Sequence, residues 1–568
     1  MNEFLQRLAL QPALRRELIL ASLLINLLGL ASSLYSIQVL NRYLALGVNA
    51  TLVTLTVGAL VAVAFEVLLR NARLRIAQWL CSRADRQLGE ALFESSVRGQ
   101  YALLEQLPVS ARREILGGQA TVQQCFGAPN LISLLDAPFA FVFLCVLALL
   151  SPFLALLAVL LIVGVALASL LAQRRLREPM EAQSRVSIQL AGYQHSLAAG
   201  GEMVRAFAAA RPLQEKWQAC GDEIAGIRAE INRLQNTVQN ASYAGTLLMS
   251  MIIMGLGARE VLNGNLDVGS LIGANILASR ALAAITRALG LGEQIGRGQR
   301  SMELIRQLCA IPKERTDGMS LGTYRGSLRF EDLAFAYPRQ PVPIIEHFDF
   351  ELPPAGVIAV IGANGCGKTT MARLLIGLVE PTRGRILVDG MDVRQAAPEW
   401  WRRQIAYLPQ EPLFFDGSLR ENLAVLAPEA DDARILALCR ELAVGPFVEG
   451  GPEGLGMAVR NGGATIPLGI RRRLALVRAL LGGGRLVILD DPTEGVDADG
   501  CQAIAAVLNR LVRAGHSLVV MSNEAFIISA AQAVIDLNQK PTPRVGRATV
   551  AEPPPAPSSG TDAEGGEA

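Results

Sequence analysis

The sequence predicts a multi-domain membrane protein: an all-α transmembrane domain of six helices, followed by an α/β domain built on a phosphate-binding loop. Three observations predict it. The first half contains long runs free of Asp, Glu, Lys and Arg, each close to the ~20 residues that a helix needs to cross a bilayer. The second half contains a β-branched run, a glycine-rich turn ending in Lys-Thr, and a helical segment, in that order. Composition agrees, with 51% hydrophobic and only 18% charged residues, against a usual charged share of about 25%. That balance argues against an ordinary soluble enzyme. A net charge of +2 is too even for a chain that neutralises many phosphates, so no nucleic-acid partner is expected. The eight cysteines are scattered without paired spacing, which argues against a disulfide framework and a zinc site.

The uncharged runs 18–40 and 43–65 each make one span, and 137–173 is long enough for two, joined at Ser151 and Pro152. Residues 234–258 make a fifth. The first is too long and too uniformly apolar for a cleaved signal peptide, and another span follows almost at once. The sixth run, 268–279, is short and is interrupted by Arg280. At about 1.5 Å per residue, Arg280 lies roughly 18 Å from the outer surface. Two readings stand for it: a substrate pathway or gate, and an interhelical ion pair or snorkelling side chain. Arginine placement orients the bundle. Arg70, Arg73, Arg75, Arg83, Arg86, Arg98, Arg112 and Arg113 crowd the connection 70–130, and the connection after Gln173 is similarly rich, so both are cytoplasmic. Apolar periodicity at Leu88, Leu92 and Phe93, and at Ile224, Ile227 and Ile231, makes these connections helical extensions of the spans.

Near residues 313–323 the chain changes to short segments punctuated by Gly and Pro. The expected organisation is therefore an N-terminal cytoplasmic segment 1–17, a membrane domain 18–300, a linker 301–325, a nucleotide-binding domain 326–540 and a disordered tail 541–568. In the second domain the strand 356–361 runs into Gly362, Ala363, Asn364, Gly365, Cys366, Gly367, Lys368, Thr369 and Thr370, and a helix 371–378 follows. Glycines let backbone N–H groups wrap phosphates, Lys368 adds a point charge, and the Thr369 hydroxyl ligates magnesium. Only four lysines occur in the chain, so one in this slot is not background. Further on, the apolar strand 486–489 ends in Asp490 and Asp491, where a carboxylate holds magnesium through water.

With these motifs the chain resembles the ATP-binding cassette transporters over nearly its whole length, and six spans before one cassette resembles an exporter half-transporter. The resemblance implies ATP and Mg2+ as ligands and ATP-driven export as the activity. It matches Tyr337, in Phe335-Ala336-Tyr337-Pro338, to the residue that stacks on adenine. Gln410 matches the glutamine that touches magnesium and the transmembrane loops, Asp490 the second magnesium ligand beside Thr369, and Asp497 the aspartate of the dimer-contact loop. The stretches 47–52 (GVNATL) and 273–283 (GANILASRALA) are similar to type I secretion exporters. That likeness implies a bacterial inner-membrane location, an unfolded polypeptide as cargo, a second half-transporter in a homodimer or heterodimer, a periplasmic adaptor and an outer-membrane channel. Because the first span begins almost at once, no leader-cleaving peptidase domain is expected. Rival expectations are export of lipids, peptides or drugs, and a nucleotide-binding pseudo-ATPase that regulates a catalytic partner.

Three positions depart from the family pattern. The signature, usually Leu-Ser-Gly-Gly-Gln, aligns with Ile466, Pro467, Leu468, Gly469 and Ile470. Proline removes a hydroxyl and a backbone donor, and Leu468 puts a side chain where close approach to phosphate is wanted. Proline can begin a helix and Thr465 can cap it, so the element is expected to fold. Asp491 stands where a glutamate activates water, shorter by about 1.5 Å, and a displacement near 1 Å costs on the order of a hundredfold in rate. Asn523 stands where a histidine contacts the γ-phosphate, and losing a well-placed donor costs about 3 kcal/mol. The catalytic set Asp491, Gln410 and Asn523 thus implies slow hydrolysis with ATP binding retained, and the substitutions Asp491→Glu and Asn523→His are expected to speed a slow enzyme.

Overall fold

The computed structural model describes residues 2–43, 49–337 and 342–546. Gly47 and Val48 of the 47–52 stretch, Pro338 and residues 547–568 lie outside the described residues. The chain forms two compact units that part between Pro312 and Lys313, with Gln100–Ala102 grouping with the second.

Among the described residues of the first unit, six helices are long and apolar enough to cross a membrane: Pro12–Tyr43, Asn49–Arg98, Ala128–Leu150, Pro152–Ala198, Ala210–Leu262 and Val268–Cys309. Ser151 breaks the third from the fourth. It takes an extended conformation, its side chain accepts from the Leu154 N–H, and Pro152 opens the next helix where a missing N–H costs nothing. Helices of 50 and 53 residues are each about 75–80 Å long, far more than a ~30 Å hydrocarbon core. Their ends therefore leave the bilayer as the expected helical extensions.

Burial explains why the sixth span is hard to read. The most apolar stretch of the second span is 0% buried, with Val53, Val57, Leu60, Val61, Phe65 and Leu68 facing outward, whereas that of the sixth is 56% buried. A helix surrounded by helices needs small residues for close packing rather than a long lipid-compatible run. Gly269, Gly273, Ala274, Ala278 and Ala281 supply them against the first, third and fifth spans. A Cβ at Gly269 would stand 2.5 Å from Asn41 Oδ1 and 2.6 Å from the Ile37 carbonyl oxygen, so these backbones meet only through glycine.

Arg280 forms no ion pair among the described residues. It turns inward across the first span, where its Nη2 donates to Ser32 Oγ at 3.0 Å and its Nη1 occupies the space that a Cβ on Gly29 would need. A buried charged pair lies elsewhere in the bundle. Arg73, counted above among the loop charges, is only 4% exposed and donates to both carboxylate oxygens of Asp136, at 2.6 and 3.3 Å. Asn26 and Ser22 of the first span complete the cluster, at 3.2 Å to Asp136 and 3.3 Å to Arg73.

The first nine residues of the expected linker 301–325 are helical, as part of Gly292–Cys309, because Met302, Ile305 and Leu308 form a buried stripe at helical spacing.

The second unit is organised by a six-stranded sheet in the order Ile405–Leu408, Leu486–Asp490, Ser517–Met521, Val357–Ile361, Ala533–Asp536 and Arg544–Gly546, parallel except for the last pair. Ile358, Val360, Leu486 and Ile488 enter one core, and Val357, Ala359, Val487 and Leu489 the other. This period of two on a sheet buried on both faces is what a continuous apolar strand encodes. A smaller antiparallel sheet, ordered Ile345–Leu352, Leu328–Phe335, Arg383–Val388 and Met391–Asp392, flanks it. The segment read as the start of a disordered tail instead adds the edge strand Arg544–Gly546, paired with Ala533–Asp536. Its Pro-rich surroundings conceal a strand of three residues.

Candidate nucleotide site

The carboxyl ends of three neighbouring strands converge, which is where open α/β sheets hold ligands. Val357–Ile361 delivers the glycine loop, Leu486–Asp490 delivers the aspartates, and Ser517–Met521 delivers Asn523. Gly365 and Gly367 take φ values of 80° and 117°, the left-handed region that favours glycine, and the second closes the loop onto the helix Lys368–Ile376. This helix starts three residues earlier than the sequence suggests, so Lys368 and Thr369 occupy its first turn, where backbone N–H groups and the helix dipole favour an anion.

Lys368 is buried. Its Nζ donates to the Gly362 carbonyl at 2.8 Å and lies 3.9 Å from Asp491 Oδ2. Thr369 Oγ1 donates to Asp490 Oδ2 at 2.7 Å, while Asp490 Oδ1 is buried with no hydrogen-bond partner among the described residues. An orphaned carboxylate oxygen beside a threonine hydroxyl, at the mouth of an anion site, is a hard-oxygen donor set that fits Mg2+. Burial pushes the carboxyl groups of both Asp490 and Asp491 above the ordinary range. Asp491 also adopts φ 49°, unusual for a residue other than glycine, and is tied back through its N–H to the Met521 carbonyl at 2.9 Å.

A cavity of about 600 Å³ opens over the loop. Asn364, Gly365, Gly367, Lys368, Thr369 and Thr370 form its floor, and Tyr337, Gln410 and Asp491 its walls. Tyr337 packs edge-on against Phe335, and its hydroxyl lies 3.3 Å from Thr370 Oγ1 and accepts from Arg373 at 3.2 Å. Gln410 is steadied by its own carbonyl, which accepts from Arg472 at 3.0 Å; Arg472 also pairs with Glu494 at 2.6 Å. Four expected residues, Gly362, Cys366, Asp490 and Asn523, lie off the cavity wall. Cys366 is buried in the core, with its sulfur under Gly362; Asp490 sits beneath Thr369; and the Asn523 side chain bonds to Gly362. Sequence reasoning missed Lys540 and Ile344 at the rim. The scarcity of lysine is the one signal that singles out Lys540.

The signature segment folds differently at its start. Pro467 is the residue before the helix Leu468–Leu481, with ψ 139°, and no side chain caps it. Thr465 stands two residues too early to act as the cap. Pro467 is exposed and Leu468 is 40% exposed, while Ile466 is buried in the core. Gly469 is retained for packing, since a Cβ there would stand 2.7 Å from the Gly495 carbonyl oxygen.

Residues 17–284 match the family described as ABC transporter transmembrane region, and residues 345–494 the one described as ABC transporter. The chain belongs to the ABC transporters. The alpha-hemolysin translocation ATP-binding protein HlyB of Escherichia coli O157:H7 is 25% identical over 524 residues, which are 91% of this chain and 74% of that protein. The leukotoxin translocation ATP-binding protein LktB of Mannheimia glucosida is 24% identical over 520 residues, 91% of this chain and 73% of the relative. Among solved structures, a bacterial Atm1-family ABC exporter with ATP bound superposes with a TM-score of 0.80 at 19% identity, covering 93% of this chain and 94% of the other, which shows the shared fold. This ABC transporter is thus a membrane protein whose ATPase domain is coupled to export, and it is related to type I secretion ATPase-permeases.

Proposed function

We propose that this ABC exporter is the ATP-driven permease of a type I secretion system in a bacterial inner membrane. In this reading it works as a homodimer or heterodimer with a periplasmic adaptor and an outer-membrane channel, and its cargo is an unfolded polypeptide. One observation carries the reading: similarity to two toxin translocators runs through both domains and 91% of the chain. In the site, Tyr337 holds adenine, the backbone of residues 362–370 wraps the phosphates, and Lys368 leaves the Gly362 carbonyl for phosphate oxygens. Thr369, Asp490 and Gln410 hold magnesium. That ion supplies neutralisation of charge on the β- and γ-phosphates. Asp491 orients the attacking water from a carboxylate one carbon short, which makes hydrolysis slow. The test compares culture supernatants of the parent strain and a strain carrying Lys368→Ala. Loss of one or a few secreted polypeptides is expected; an unchanged set of secreted proteins with altered lipid or drug efflux overturns the reading.

The exposed Pro467 and Leu468 favour a second element of the proposal, a heterodimer. In the family arrangement each signature faces the nucleotide of the other chain, so a partner with an intact signature supplies the missing signature contacts to the site formed on this chain's Lys368, while Asp491 and Asn523 stay in it. Copurification of a second half-transporter from the native host tests it, and recovery of this chain alone counts against it.

A further inference from the structure

Asn523 occupies the slot where the family resemblance expects a histidine on the γ-phosphate, yet its side chain is engaged elsewhere. Its Oδ1 accepts from the Gly362 N–H at 3.0 Å, and its Nδ2 donates to the Gly362 carbonyl at 3.0 Å. The register of the sheet brings the two together. Met521 pairs with Val360, and the Ser522 N–H donates to the Val360 carbonyl at 3.1 Å, which leaves Asn523 beside Gly362. There the carboxamide carries on by side chain the pairing that the strand backbones have just ended. Turning the amide over would set N–H against N–H and oxygen against oxygen, so Gly362 itself determines its orientation.

The Gly362 carbonyl therefore receives two donors, Asn523 Nδ2 and Lys368 Nζ at 2.8 Å. When Lys368 moves to a phosphate, one donor stays behind and the carbonyl remains satisfied. We infer that Asn523 is a positioning residue for the phosphate-binding loop, holding the Gly362 backbone so that Lys368 can exchange this carbonyl for phosphate oxygens, and is not a contact to the γ-phosphate. The inference rests on the nucleotide-site reading above. It also reverses one expectation from the sequence. The two nitrogens of an imidazole point away from each other and cannot grip the N–H and C=O of one residue side by side. Asn523→His therefore removes the grip and does not restore a faster enzyme.

The experiment measures binding of fluorescent ATP and fluorescent ADP, with Mg2+, to the full-length protein in nanodiscs. Asn523→Ala is expected to weaken ATP and ADP equally, by roughly tenfold, the size expected for two neutral hydrogen bonds. Asn523→Asp keeps the shape but turns a second oxygen toward the Gly362 carbonyl, so it is expected to weaken both at least as much; being isosteric, it guards against an unfolded Ala variant. A loss confined to ATP, an Asn523→Asp protein that binds like the parent, or faster hydrolysis by Asn523→His would each overturn the inference. Lys368→Ala separates the two levels of failure. If it loses both nucleotides while the Asn523 variants bind normally, only the inference falls. If it too binds both normally, the site reading falls with it.

Discussion

Asp490 sets function against stability. It is 1% exposed, one of its oxygens is unpartnered among the described residues, and its carboxyl is raised chiefly by burial and secondarily opposed by the Thr369 hydrogen bond. A carboxyl that binds its proton more tightly in the folded than in the unfolded state, where ionisation occurs near about pH 3.9, makes the nucleotide-free protein lose stability as pH rises through the raised value. Asp490→Asn is therefore expected to melt higher than the parent near neutral pH without nucleotide, with the gap closing toward about pH 4, and to lose magnesium-dependent nucleotide binding. Thermal unfolding across that pH range, with and without Mg2+, checks both. At the neighbouring position, Asp491→Glu extends the carboxylate by one carbon, and phosphate release is expected to rise by about tenfold to a hundredfold. An unchanged rate would show that another step limits turnover. The strand-loop-helix path of residues 362–370 and the place of Asp490 at a strand end were legible because a glycine-rich turn and an apolar run ending in aspartate are short-range patterns. The partner of Asn523 was not legible, since a sequence slot says nothing about which way a carboxamide points.

Among the elements, the first three spans are held by a cluster that local reading disguised. Arg73 looked like one more arginine of an inner loop, and Asp136 like the residue just before an uncharged run. Neither signal contains the distance between them. With both groups buried, Arg73→Ala or Asp136→Ala leaves an uncompensated charge and is expected to cost about 3–5 kcal/mol, whereas Arg73→Met with Asp136→Leu recovers most of it. Melting in detergent distinguishes the single from the double variants, and equal losses in all three would refute the pairing. The sixth span shows the complementary limit. Its short apolar run reflects burial among neighbours, so a hydropathy rule written for lipid-facing helices undervalues it. Gly269→Val, which drives a side chain against the Ile37 carbonyl, is expected to destabilise the bundle by about 1–3 kcal/mol by the same assay.

For the whole molecule, six spans, a strand-loop-helix nucleotide motif and their order were readable because each depends on short-range pattern. The ends of the domains were less so: the stripe at Met302, Ile305 and Leu308 extends a helix into the expected linker, and Arg544–Gly546 turns expected disorder into sheet. Purified alone, the exporter is expected to hydrolyse ATP slowly, and Pro467→Ser with Leu468→Gly is expected to raise that rate in a homodimer, where each signature serves the other copy. Phosphate release in nanodiscs measures it, and a parent protein already as fast as an ordinary exporter contradicts the proposal.

The Arg73–Asp136 pair also has a history in time. The two residues are 63 positions apart, so a ribosome adding about 5–20 residues per second delivers the aspartate roughly 3–13 s after the arginine. During that wait the second hydrophobic segment carries Arg73 near its inner end with Ser22 as a partner but without its carboxylate, where lipid headgroups and water can shelter the charge. Synthesis of the third segment then supplies the carboxylate that pairs with Arg73 in the folded bundle.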